Sequence, residues 1–286
     1  MKKYLFIFVT LALVLSQTGC TTTKKIPTAN HADYNFNSTL WMQTSAEYAA
    51  NSIQTYQTAS RNLPLLLADK HHSASLEQTS SFEDLPAAII LDIDETVLDN
   101  SRYQAKLVLE GNSWSPTSWD KWIALKQAGA IPGVVNFIHF AQKKQVKIFY
   151  VTNRACNKRA DNPHPCPQKQ ETIDNLKSIG IEEVSPDNVL FKHDILTQNS
   201  AQNWTSEKKS RREYLAKKYH LIMLFGDNLG DFIAGVSKNI SNEFRMEITY
   251  KNRYRWGYQW YMLTNPTYGS WLNTLKKPRT DYFKSY

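Results

Sequence analysis

The 286-residue chain has only three cysteines, no apolar run of the twenty or so residues that cross a bilayer, no internal repeat and no recognisable nucleic-acid-binding module. Three cysteines cannot make a disulfide scaffold, and at their spacings they do not make a complete zinc site. The missing repeat excludes a solenoid. A net charge of +8 points to no nucleic acid on its own, since it is spread over short groups such as Lys208-Lys209 with Arg211-Arg212. These groups read as solvated helix faces that also draw in anionic substrates. What is present is a globular composition, 42% hydrophobic and 12% aromatic, long enough for one sizeable domain or two small ones.

The N-terminus carries an address. Lys2-Lys3 precede an apolar run from Tyr4 to Leu15 and then Ser16-Gln17-Thr18-Gly19-Cys20, which makes residues 1–19 a signal peptide. Cys20 stands where a bacterial lipoprotein is acylated, so lipidation at Cys20 is expected, ahead of plain secretion or an uncleaved anchor. Residues 20–35 then form a polar tether. In an exported chain the remaining pair, Cys156 and Cys166, reads as a local disulfide, with a free pair or a partial metal site including His164 as alternatives.

Hydrophobic spacing predicts one long helix over Thr39–Leu67, broken near Pro64, and further helices over Tyr103–Leu109, Ser118–Ala128, Gln168–Ile179 and Glu207–Tyr219, with another from Pro132. Strands are predicted at Ala87–Leu91, Val146–Val151, Asn188–Phe191, Leu221–Phe225 and Tyr258–Leu263. The alternation implies an α/β domain over residues 36–286, a Rossmann-like parallel sheet flanked by helices, with a smaller helical part over about 36–80 and 100–130.

Such sheets bind ligands beyond the carboxyl ends of their strands. Three polar strand tails should therefore meet: Asp92-Ile93-Asp94-Glu95-Thr96, Thr152-Asn153-Arg154 and Gly226-Asp227-Asn228. Two carboxylates held close repel unless a cation or a proton compensates them. Asp92 and Asp227, with a main-chain carbonyl and water, form a hard all-oxygen site suited to Mg2+. Asp231 could orient waters there, and a helical salt bridge is its bland alternative. For the first tail the bland alternative is a solvated turn. A phosphoryl group in such a site needs a hydroxyl, which Thr152 supplies, and a lysine, for which Lys208 and Lys209 are candidates.

The ordered set of these motifs, with Lys208 placed before Ser210-Arg211-Arg212 and with Gly226-Asp227-Asn228-Leu229-Gly230-Asp231, resembles the haloacid dehalogenase superfamily. More closely it is similar to the bacterial class C acid phosphatases, and Trp119-Asp120-Lys121-Trp122, Ile131-Pro132-Gly133 and Asn265-Pro266-Thr267-Tyr268-Gly269 strengthen the likeness. It spans roughly Leu85 to Trp271, with departures at Gln17, at Thr264 and in the Cys156–Cys166 loop.

The resemblance implies an exported, Mg2+-dependent acid phosphatase with a haloacid dehalogenase-like core. Asp92 would be the nucleophile, Asp94 the general acid and base, and Thr152 and Lys208 the holders of the phosphoryl oxygens. One metal would be bound by Asp92, the main-chain oxygen of Asp94 and Asp227, with Asp231 assisting. Trp119 and Tyr268 would sandwich a nucleoside or aryl ring, with Asn153 also at the substrate, while Trp122 reads as core. An acidic optimum is expected. Expected partners are phosphomonoesters such as 5′-nucleotides, a membrane through Cys20, and a second copy in a homodimer, with no nucleic acid. The rival readings are a phosphotransferase using the same intermediate and a surface-binding lipoprotein without turnover.

Overall fold

The computed structural model describes residues 31–194, 204–276 and 278–284. The signal peptide, Cys20 and most of the tether therefore lie outside the described residues. Among those described, no helix is long and apolar enough to cross a membrane.

Helices α1 (His31–Thr44) and α2 (Ala46–Ala68) replace the single helix expected there. The break falls at Ser45, whose extended backbone and side chain cap α2 by accepting the Tyr48 amide at 3.1 Å. Pro64 does not break α2. Leu63 and Leu66 are buried on either side of it, and about 1.5–3 kcal/mol from each offsets the roughly 3 kcal/mol cost of an interior proline.

Strand β1 (Ala87–Leu91) follows, then a short β2 (Leu98–Asp99), α3 (Ser101–Leu109), α4 (Pro116–Leu125) and β3 (Gly129–Ala130), which pairs antiparallel with β2. Helix α4 starts earlier than Ser118 because Ser115 caps it and Pro116 opens it. After α5 (Val134–Lys143) come β4 (Lys147–Ala155), α6 (Pro167–Ser178), β5 (Val189–Lys192), α7 (Lys209–Ala216), β6 (His220–Gly226), α8 (Asn242–Lys251) and β7 (Trp260–Met262).

The main sheet is five-stranded and wholly parallel, in the order β5-β4-β1-β6-β7. Strand β1 sits at its centre, and its side chains alternate between two cores. Ile89 and Leu91 join the core packed by α2, α5 and α6, while Ala88 and Ile90 join the one containing Leu215 of α7, Phe232 and Trp260. On the first side Tyr56 stacks on Phe225 at 5.5 Å and donates its hydroxyl to the Thr96 carbonyl at 2.6 Å. Gly133 admits this contact between α2 and α5. A Cβ there would lie 3.2 Å from the Ile53 Cα, at a φ of +93° that side chains disfavour.

Candidate active site

The chain turns back sharply after β1. Ile93 O accepts amides from Thr96, Val97 and Leu98, and Glu95 adopts a φ of +57°. That turn leaves Asp92 and Asp94 at the carboxyl end of the central strand, beside the point where the sheet order reverses. Strand β4 runs past the expected end at Val151. Its pairing with β5 shifts register between Val151 and Ala155, and this irregularity carries Thr152, Asn153 and Arg154 to the site. Strand β6 delivers Asp227, and the following one-turn 3-10 helix delivers Asp231. A Cβ on Gly226 would stand 2.2 Å from Asp231 Oδ2, so only glycine lets that carboxylate fold back over the strand end.

Carboxylate oxygens of Asp92, Asp227 and Asp231 lie within 4.8 Å of one another. Lys208, at the N-cap of α7, bonds Asp92 Oδ1 and sits 2.6 Å from Asp231 Oδ1. The ion pair of Asp231 is thus made with the N-cap of α7 and not within its own helical turn. Its Oδ2 accepts the Asn228 amide at 2.9 Å, and Asp227 Oδ2 accepts from Asn265 Nδ2 at 2.7 Å.

One ammonium cannot neutralise three carboxylates. Burial, opposed by Lys208 and reinforced by Asp231 and Asp94, pushes the Asp92 carboxyl up to about 7. Burial, then Asp92 and Asp231, drive Asp227 well above the usual range. Against the pull of burial, Asp231 and Asp92 hold the Lys208 ammonium above its ordinary value. An all-carboxylate cluster short of positive charge fits a hard divalent cation such as Mg2+.

Asp94 stands apart from this cluster. Its carboxylate is gripped by Arg154, with Nη2 to Oδ1 at 2.7 Å, and accepts Asn100 Nδ2 at 3.0 Å. Thr152 Oγ1 lies 3.5 Å from Asp94 Oδ2 and accepts the Arg154 amide at 3.0 Å.

A cavity of about 650 Å3 opens over these groups, lined among others by Asp92, Asp94, Asn153, Trp119, Lys208 and Tyr268. Trp122 instead lies in the core, where its indole N–H reaches Asn100 Oδ1 at 2.8 Å.

Several residues here escaped the sequence reading. Arg211 and Arg212 are fully buried rather than solvated. Arg211 donates to the Thr152 carbonyl and, at 2.9 Å, to Asn153 Oδ1. Arg212 forks onto Glu77 at 2.6 and 2.9 Å and reaches the Asp231 carbonyl at 2.9 Å. Of this basic group, Lys209 is the one on the surface, 3.6 Å from Glu213. Helix α7 is accordingly shorter than Glu207–Tyr219. Glu95 is wholly buried, burial followed by the charges of Asp94 and Asp227 drives its carboxyl well up, and its Oε1 accepts the Asn100 amide at 2.8 Å. Adjacency to the motifs was the one available signal for Arg154 and Glu95. Nothing local marked Glu77.

Cys156 and Cys166 are joined as a disulfide. Inside the loop it closes, Arg159 bonds Asp120 at 2.7 and 2.9 Å and Glu171 at 2.8 Å, so the loop is tied to the helix that carries Trp119.

A family model described as HAD superfamily, subfamily IIIB (Acid phosphatase) matches residues 8–271. The chain belongs to this family of acid phosphatases. The phosphatase is similar to the class C acid phosphatase of Bacillus anthracis, at 29% identity over 90% of this chain and 100% of that one, with a TM-score of 0.73. A second structure of the Bacillus enzyme, with tungstate bound, matches at 30% identity, covers 89% and 98% of the two chains, and gives a TM-score of 0.72. Five parallel strands flanked by helices are thus a HAD-like fold, and the enzyme is a hydrolase.

Proposed function

We propose that this acid phosphatase hydrolyses phosphomonoesters, 5′-nucleotides and aryl phosphates among them, through an aspartyl-phosphate on Asp92. The observation that carries this reading is the meeting of Asp92, Asp94, Lys208, Asp227 and Asp231 under one cavity. Asp92 attacks phosphorus as the bond to the leaving oxygen breaks, and Asp94 gives that oxygen a proton. Water then attacks the same phosphorus, loses a proton to Asp94, and frees phosphate with Asp92 restored. Lys208, fixed by Asp92 and Asp231, offsets the phosphoryl charge, and Thr152, whose hydroxyl lies 3.5 Å from Asp94 Oδ2, would turn it to a phosphoryl oxygen once substrate is bound. Mg2+ held by Asp92, Asp227 and the Asp94 main-chain oxygen, with Asp231 beside it, would neutralise phosphoryl charge and the repulsion among the carboxylates. That the Bacillus relative binds tungstate, an oxyanion, supports an oxyanion ligand for this enzyme as well.

The 650 Å3 cavity leaves room beyond a phosphate, and Trp119 and Tyr268 supply faces on which a base or aryl ring stacks. Export and lipidation at Cys20 rest on the N-terminal sequence, and the mass of the mature N-terminus tests them. For the chemistry, phosphate release from p-nitrophenyl phosphate and a nucleotide panel is measured with and without chelator, for the wild type and Asp92→Asn. Loss of activity in both cases is expected. Activity that survives both perturbations refutes the mechanism.

A further inference from the structure

A carboxyl group that hands over a proton from one oxygen needs its other oxygen anchored. Asp94 is held in that unequal way. Its Oδ1 takes Arg154 Nη2 at 2.7 Å, Arg154 Nε at 3.1 Å and Asn100 Nδ2 at 3.0 Å, which saturates it. Its Oδ2 has only the shared Nε at 3.2 Å and Thr152 Oγ1 at 3.5 Å, the outer limit of a hydrogen bond.

Arg154 is itself immobilised. Its side chain is 1% exposed, Nη1 donates to Thr172 Oγ1 at 2.9 Å, and the guanidinium lies 5.6 Å from the centre of the Trp119 ring. Anchoring a planar fork on α6 and α4 turns it into a rigid bracket for the Asp94 plane.

We propose that Arg154 is a positioning residue for proton transfer: by holding Oδ1 of Asp94 it presents Oδ2 to the leaving-group oxygen in the first step and to the attacking water in the second. The proposal rests on the reading of Asp94 as the acid and base. Arg154 itself exchanges no proton and bonds no phosphoryl oxygen.

Leaving groups separate this role from a merely structural one. Departure of 2,4-dinitrophenolate scarcely needs an acid, whereas an alkoxide does. In Arg154→Ala, kcat/KM for glycerol 2-phosphate should fall about 100-fold, and for 2,4-dinitrophenyl phosphate less than about fivefold. The inhibition constant of inorganic phosphate should stay within about twofold, since no phosphoryl contact is lost. Arg154→Lys, which keeps the charge but cannot fork, should show the same substrate dependence with a smaller loss, and it serves if the alanine variant does not fold.

Asp94→Asn run on the same pair of substrates keeps two failures apart. Equal losses on both substrates in Asp94→Asn remove the acid/base reading and the proposal with it. A leaving-group dependence in Asp94→Asn that is absent from both Arg154 variants overturns only the role of Arg154. So does a tenfold rise in the phosphate inhibition constant, which would make Arg154 a phosphate ligand. With Asp94→Asn already present, Arg154→Ala should cost nothing further, and additive losses also overturn the proposal.

Discussion

Substituting Glu77→Gln tests whether the buried arginines of α7 hold the site together. Glu77 and Arg212 are 6% and 0% exposed, and two short hydrogen bonds join them across 135 residues of sequence. Removing one partner of a buried ion pair costs about 3–5 kcal/mol, because the other charge stays buried and unmatched. Glutamine keeps the shape and one acceptor oxygen, which places the loss near the lower end, about 3 kcal/mol. In a domain of this size that lowers the melting temperature by about 6–12 °C at pH 7.

The loss should depend on pH in one direction. Burial pulls the Glu77 carboxyl up, but the bonds and charge of Arg212 prevail and hold it below its ordinary 4.5. A carboxyl depressed in the folded state stabilises fully above that ordinary value and loses its contribution as pH falls through the folded one. Melting curves of wild type and variant should therefore be far apart at pH 7 and converge as the pH falls below 4.5. Two results refute the reasoning: a variant within about 2 °C of wild type at pH 7, or a gap that stays constant as the pH falls.

Three further outcomes follow from the site. In chelated enzyme, Mg2+ at about 100 times its dissociation constant should add about 2.7 kcal/mol and raise the melting temperature. A shift that persists unchanged in Asp227→Asn would refute the carboxylate triad as its seat. Trp119→Ala should raise KM for a 5′-nucleotide up to about tenfold, a loss of about 1.4 kcal/mol of stacking, and leave the KM for glycerol 2-phosphate unchanged, any loss of the support that ring gives Arg154 falling on kcat instead; equal rises in KM would refute a ring subsite. Replacing Cys156 and Cys166 by serine should cost about 3 kcal/mol of loop-closure stabilisation and raise the nucleotide KM several-fold with kcat kept, because the loop ties down the helix of Trp119 through Arg159 and Asp120. Unchanged nucleotide KM would refute that link.

Each of the five sheet strands was legible as a short apolar run, and β1 shows why. Ala87–Leu91 is buried on both faces, so it reads as continuous hydrophobicity that stops abruptly at Asp92. The polar strand tails then required only a parallel sheet to bring them together. Helix α8 was not legible, and its burial is the reason. Phe244, Met246 and Tyr250 are exposed, and its one buried residue is Arg245, which bonds the Val236 carbonyl and Ser270 Oγ. A periodicity search looks for the reverse pattern. The two-residue strands β2 and β3 exist only through their pairing with each other, which no local window contains.

Buried cations mark the boundary of what local sequence can reveal. Arg154, Arg211 and Arg212 look like surface charge until their acceptors are known, and those acceptors lie 60, 59 and 135 residues away. Desolvating a guanidinium is costly unless its donors are matched, so burial here is a property of the assembled sheet edge, not of the helix. Helix α7 draws the separate tails together. Lys208 at its N-cap takes Asp92 and Asp231, Arg211 takes the tail of β4, and Arg212 takes the loop after β6 while anchoring to Glu77. The same four residues that set the position of α7 therefore set the spacing between the nucleophile strand and the third carboxylate. A substitution at Glu77, whose side chain is absent from the cavity wall, should for that reason be felt at Asp231.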